Sequence, residues 1–259
     1  MQIIALKLLM TPLMIIAVHA AGKRWGTIVS GLLIGLPLTS GPISLILACQ
    51  YGEAFAVHAS AGNLAGQISI CLFCLVYYKL CQTRGWLYCT LLATLTFVAA
   101  TAILKVIALG LLSAFGLLLL TLALVSSKMP GKPTSAIKMA KPWWDLPSRI
   151  VIAVAFVWLI TSLAGRMGPV LSGLIAPFPV FAIVFAAFTL QTEGSAATCN
   201  LLRGIVLSSV GFAAFFMTIA LTTSQLGLSS AYLLAAGLGI LSNFIFHSLP
   251  GQFWTGKMN

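Results

Sequence analysis

The sequence predicts an all-α membrane protein, a polytopic transmembrane helical bundle of about nine spans in two inverted-topology repeats. Three observations predict it. Only 7% of the 259 residues are charged, while 60% are hydrophobic and the mean hydropathy is +1.09. A water-soluble domain carries about 25% charged residues, so this chain has too few to cover a wetted surface. Apolar runs recur at the roughly 20-residue length that one helical crossing requires. Finally, the chain aligns with itself at a fixed offset, from 30 to 172 (172 − 30 = 142).

The apolar runs fall at about 2–21, 26–49, 60–78, 86–104, 106–126, 148–165, 169–190, 202–222 and 229–248. The block 86–126 is too long for one crossing, and Lys105 is its only punctuation, so it divides there. Turn chemistry marks other breaks, at Gly22-Lys23-Arg24, Gly52-Glu53, Arg84-Gly85, Gly165-Arg166 and Gly194-Ser195. The first run resembles a signal peptide with an A-x-A-type site, but it lacks the basic n-region and takes part in the repeat, so it reads as a span. The chain divides into a first membrane repeat at 1–126 with five spans, a basic loop at 127–147, and a second repeat at 148–259 with four.

Basic residues set the expected orientation. Net charge is +11, from 14 Lys and Arg against 3 Asp and Glu. With the N-terminus outside, eleven basic residues fall on the inner side, Arg203 among them, and only Lys7, Lys105 and Arg166 on the outer. The C-terminus is then cytoplasmic, as is the 127–147 loop, whose Trp143 and Trp144 read as interfacial anchors. The positive charge thus answers to lipid headgroups. No nucleic-acid motif accompanies it, and no nucleic-acid partner is expected.

At the offset of 142, SGLLIGLP at 30–37 meets SGLIAPFP at 172–179. Gly52 meets Gly194, Gly62 meets Gly204, Gly85 meets Gly227, and Lys7 meets Arg149. The matches concentrate on Gly, Pro and basic residues, where backbone geometry or charge matters. Five spans before the second copy would invert it, an architecture that places a transporter's site where the copies meet. The alternative is duplication that only builds a symmetric scaffold.

The second span of each copy carries the candidate site. Pro37, Gly41 and Pro42 interrupt the first copy, with Thr39 and Ser40 inside the break; Pro177 and Pro179 interrupt the second. Proline removes a backbone donor and clashes with the preceding turn, and the freed backbone groups need partners in protein or a wet cavity. Such a break either binds a polar ligand or is a kink that improves packing. Lys7 and Arg149 either snorkel to the interface or face an anionic solute. Glu53 and Glu193 flank the equivalent glycines and read either as exposed loop carboxylates or as proton-coupling groups. Asp145, before Leu146-Pro147, reads as a helix N-cap. His19, His58 and His247 read as interfacial, and no metal-ligand cluster accompanies them. Cys71-x-x-Cys74 reads as packing inside an apolar run. No P-loop, G-x-S-x-G, H-E-x-x-H or catalytic carboxylate pair is present, so no enzyme and no cofactor are expected.

The run Gly173–Ile183, GLIAPFPVFAI, followed by Leu202-Arg203, resembles the GlpM-like family of small bacterial inner-membrane proteins. The likeness covers about 147–248, and the first copy departs from it, with Leu-Pro-Leu-Thr-Ser-Gly-Pro in place of the aromatic run. It implies a bacterial inner membrane and a link to exopolysaccharide production. The function expected is a secondary permease for a small anionic or neutral solute, proton coupling included. A non-transporting subunit of a cell-envelope assembly and a flippase for a lipid-linked intermediate are the alternatives. Expected partners are the lipid bilayer, the solute, and a second copy or a membrane complex.

Overall fold

The computed structural model describes residues 2–38, 40–131, 144–166 and 178–248, and all regular structure among them is helical. In chain order the helices are α1 (Gln2–Trp25), α2 (Thr27–Gly35), α3 (Ser40–Tyr51), α4 (Glu53–Leu80) and α5 (Trp86–Ile107). They continue with α6 (Leu111–Ser127), α7 (Asp145–Arg166), α8 (Val180–Thr192), α9 (Gly194–Leu207) and α10 (Ser209–Ser248), the last broken into two helical stretches at Gly227 (φ 73°, ψ 168°). Four segments are long and apolar enough to cross a membrane: Thr27–Tyr51, Glu53–Leu80, Trp86–Ile107 and Gly194–Phe246. At 1.5 Å per residue, α4 alone runs about 42 Å. α6 and α8 are shorter apolar helices.

Burial is arranged for lipid. Large apolar side chains point outward along α1, α5, α6, α7 and α10, as at Leu9, Val106, Leu112, Val151, Leu233 and Phe244. Polar side chains lie inside, among them Ser30, Ser44, Ser60, Gln67, Ser208 and Ser209. A water-soluble bundle does the reverse. These apolar helices with polar interiors fit a membrane protein.

α4 is the central helix, touching α3, α5, α6, α9 and α10. Its buried face carries Leu64, Ile68, Cys71, Phe73, Cys74 and Tyr77, so both cysteines of the C-x-x-C pack in the core. The most intimate crossing is α2 on α9. Gly31 and Gly35, four apart, face Gly204 and Ser208, also four apart. A Cβ on Gly31 would strike the Leu201 carbonyl oxygen, and one on Gly204 the Ile28 carbonyl oxygen. Small residues let the two backbones touch, which replaces the hydrophobic driving force that lipid removes.

Helix boundaries follow local backbone rules. Leu36 is extended (φ −69°, ψ 152°), as a residue before proline must be, and α2 ends there. Gly52 (φ 89°) and Gly194 (φ 85°) each join two helices through a backbone conformation that L side chains resist. Because Gly52 turns the chain in one residue, α4 restarts at once at Glu53. The break expected at Gly52-Glu53 is where α4 begins, ahead of the apolar run at about 60–78, and Glu53 sits exposed in its first turn.

Two further expectations change. The division of 86–126 falls at Ala108–Gly110, where Ala108 is left-handed (φ 51°) and ends α5; Lys105 lies inside the last turn of that helix. Arg203 belongs to no exposed inner segment. It is buried in α9, with its guanidinium against Gly131.

Candidate solute site at Arg149

The polar centre of the described bundle lies where α7 packs between α1 and α8. α7 starts with Asp145. The Trp144 carbonyl accepts the Ser148 N–H at 3.0 Å, so Trp144 occupies the N-cap and Asp145 is the first helical residue. The N-cap reading of Asp145 is thereby corrected. Its carboxylate instead reaches one turn along the helix. The Nε–H of Arg149 donates to Oδ1 at 3.1 Å and to Oδ2 at 3.0 Å, and both residues are only 1% exposed.

Spacing produces the pair. Residues i and i+4 share a helix face, and an acid in the first turn also meets the positive end of the helix dipole. His19 of α1 completes the group, its Nδ1 3.7 Å from Asp145 Oδ2. His19 lies in the α1–α7 seam because α1 packs along α7.

Aromatic rings close the other side. The Arg149 guanidinium carbon lies 5.1 Å from the Phe185 ring centre and 5.2 Å from that of Phe188. Both phenylalanines are on one face of α8, three residues apart. Ring faces attract a cation, most strongly where water is excluded. One donor stays open, since Arg149 Nη2 is buried and finds no acceptor among the described residues. A buried unsatisfied donor on a charged group costs several kcal/mol of lost hydration, on the order of 1–3 or more. Glu193, half-buried at the α8–α9 junction, lies close enough to act on Arg149 electrostatically. The group thus sets one guanidinium against two carboxyl groups, with the His19 imidazole beside Asp145.

The other sequence candidates lie elsewhere. Pro37 sits in the α2–α3 break, as expected, but Pro42 falls in the first turn of α3, where proline is tolerated. Ser40 begins that helix, half-buried. Gly41 is buried against Phe215, to which a Cβ would come within 3.0 Å. Gly35, just before the break, abuts Ser208. Pro179 immediately precedes α8. Thr39 and Pro177 lie outside the described residues, and Lys7 is on α1 with its side chain outside them. Of the expected site residues, Arg149 and Glu193 lie within electrostatic range of each other. Glu53 stands apart on an exposed turn.

Sequence reasoning missed Asp145, His19, Phe185 and Phe188 as members of this group. One signal was present, because Asp145 and Arg149 are four apart at the start of an apolar helix. A second polar contact crosses the bundle at α4–α10, where Gln67 Nε2 donates to Ser209 Oγ at 2.9 Å and Cys71 Sγ lies 3.5 Å from the same oxygen. These two bonded residues are themselves 142 apart in sequence.

No protein-family model, curated protein or solved structure matches this chain.

Proposed function

We propose that the protein is a membrane permease whose solute site includes Arg149. The observation that carries this reading is a guanidinium buried among apolar helices with one donor unfilled. Ionisable side chains buried inside membrane bundles are rare and are seldom kept without use. Solute would bind at the Arg149 guanidinium, between α7 and α8. Alternating access would rock one copy of the repeat against the other about the breaks at Pro37 and Pro179.

Several features support a two-copy arrangement with about nine crossings. Gly52 and Gly194, equivalent at the offset of 142, share the same positive-φ junction. Pro37 and Pro179, also equivalent, each lie just ahead of a helix, α3 and α8. α1 and α7 occupy equivalent stretches and pack on each other. Gln67 and Ser209 hydrogen-bond across the bundle, as residues beside a two-fold axis do. If α1, the α2–α3 pair, α4, α5 and α6 each cross once, the second copy is inverted. The basic residues then favour N-out and C-in, and the resemblance to the GlpM-like family favours a bacterial inner membrane.

Purified protein in liposomes tests transport directly. Solute accumulation by the protein alone is expected. If no solute moves, and activity appears only with co-purified envelope subunits, the assembly-subunit reading replaces this one. Proton coupling is tested by Glu193→Gln and Glu53→Gln, each expected to abolish uphill uptake; uphill uptake at wild-type rates in both removes the role.

A further inference from the structure

We infer that Cys81 and Cys199 are a dithiol that a hydroperoxide converts to a disulfide, a modification site that fastens the first half of the chain to the second. The inference goes beyond the permease reading and does not depend on it. Cys81 caps the C-terminus of α4, and Cys199 lies in the second turn of α9. The two helices pack on each other, and the two Sγ atoms, 118 residues apart in sequence, come within 3.6 Å. Both sulfurs also approach the Tyr78 carbonyl oxygen, at 3.3 Å from Cys81 and 3.9 Å from Cys199. Five of the six cysteines belong to the first half, and the fold sets the single cysteine of the second half against one of them. Cys71 and Cys89 are turned elsewhere, Cys71 Sγ to Ser209 Oγ at 3.5 Å and Cys89 Sγ to the Arg84 carbonyl oxygen at 3.5 Å.

The surroundings hold the pair in register. The Tyr78 hydroxyl, three residues before Cys81, donates to the Pro130 carbonyl oxygen at 2.7 Å. The Arg203 guanidinium, one turn after Cys199, is buried against Gly131. Sulfurs already in contact need only a small side-chain rotation to reach bonding distance, about 2.0 Å. Cys199 is sealed, whereas Cys81 stands where α4 stops and the exposed residues 82–85 begin. Helix ends open locally at little cost, so a molecule as small as hydrogen peroxide reaches Cys81 first. The Cys81 sulfur attacks one peroxide oxygen, the O–O bond breaks, and the departing hydroxide leaves as water with the thiol proton. The resulting sulfenic acid is attacked by the Cys199 sulfur; the S–O bond breaks, and a second water carries off the second thiol proton. The two thiols lose two electrons in all, and one peroxide becomes two waters. The bond closes a long loop, which restrains the unfolded chain strongly. Under the permease reading it also holds this end of the two copies together, so rocking stops until the bond is reduced.

The test treats the full chain in membranes with hydrogen peroxide, blocks the remaining thiols with iodoacetamide, and digests the protein without reductant. Mass spectrometry should find a Cys81 peptide joined to a Cys199 peptide, and dithiothreitol should separate them. Thermal unfolding in detergent supplies the second measurement. Peroxide should raise the wild-type midpoint by about 5 °C, and dithiothreitol should reverse the rise. Cys81→Ser and Cys199→Ser should each lose the response, while Cys89→Ser should keep it. Cys199 recovered as an alkylated thiol after peroxide, or joined to a cysteine other than Cys81, overturns the pair. An unmoved midpoint in the linked protein, or the same rise in Cys199→Ser, overturns the restraint. Neither measurement involves solute movement, so the pair and the permease reading stand or fall separately.

Discussion

Arg149 shows how one residue's meaning depends on its neighbours. In sequence it is one basic residue near the start of an apolar run. In the fold it is neutralised by Asp145, sandwiched near two phenylalanine rings, and left with one open donor. Breaking a buried pair by removing one partner leaves the other charge uncompensated, at a cost of about 3–5 kcal/mol. Asp145→Asn should therefore lower the unfolding midpoint in detergent markedly, and a shift no larger than that of a surface variant such as Glu53→Gln would contradict the pairing. Gln67→Leu is a milder case. It removes one interhelical hydrogen bond, worth about 0.6–1.7 kcal/mol in membrane helices, while Ser209 keeps its bond to the Ile205 carbonyl at 3.3 Å. Thermal unfolding should register a small loss for this variant, well below that of Asp145→Asn.

Among the elements, glycine decides both junctions and contact. Gly52 has open space where a Cβ would go, so Gly52→Ala tests backbone strain alone. At φ 89° and ψ 174° Gly52 occupies an extended positive-φ region essentially restricted to glycine, so Gly52→Ala should cost about 1–3 kcal/mol of stability. Equal stability of the alanine variant and wild type would argue against the positive φ. Gly204 is the steric counterpart, since its Cβ would enter the α2 backbone at Ile28. Gly204→Leu should separate α2 from α9 and abolish a monodisperse folded species on size exclusion. The sequence shows the ends of these helices through Pro37, Gly52 and Gly194, because local backbone chemistry sets them. It shows the α2–α9 crossing less directly. Gly31-x-x-x-Gly35 and Gly204-x-x-x-Ser208 are both present, but spacing alone does not say which helix meets which.

For the whole molecule, the inverted arrangement makes one geometric prediction. Glu53 and Glu193 follow equivalent spans and should lie on opposite sides of the membrane. Cysteines placed singly at 53 and 193, with exposed Cys49 changed to serine, should label with impermeant maleimide from opposite faces. Labelling from one face would exclude the inversion and leave a parallel or unrelated pair of halves. The sequence by itself determined the helical class, the apolar character of the segments and the breaks at Pro37, Gly52, Gly85 and Gly194. Those properties follow from composition and from short-range rules of Pro and Gly. Only the tertiary structure decided that Asp145 and His19 join Arg149, that Phe185 and Phe188 flank it, and that Glu193 acts on it while Glu53 does not. The physical reason is that burial, charge compensation and unfilled donors belong to contacts between α1, α7 and α8. Residues far apart in the chain make those contacts, and no local pattern encodes them.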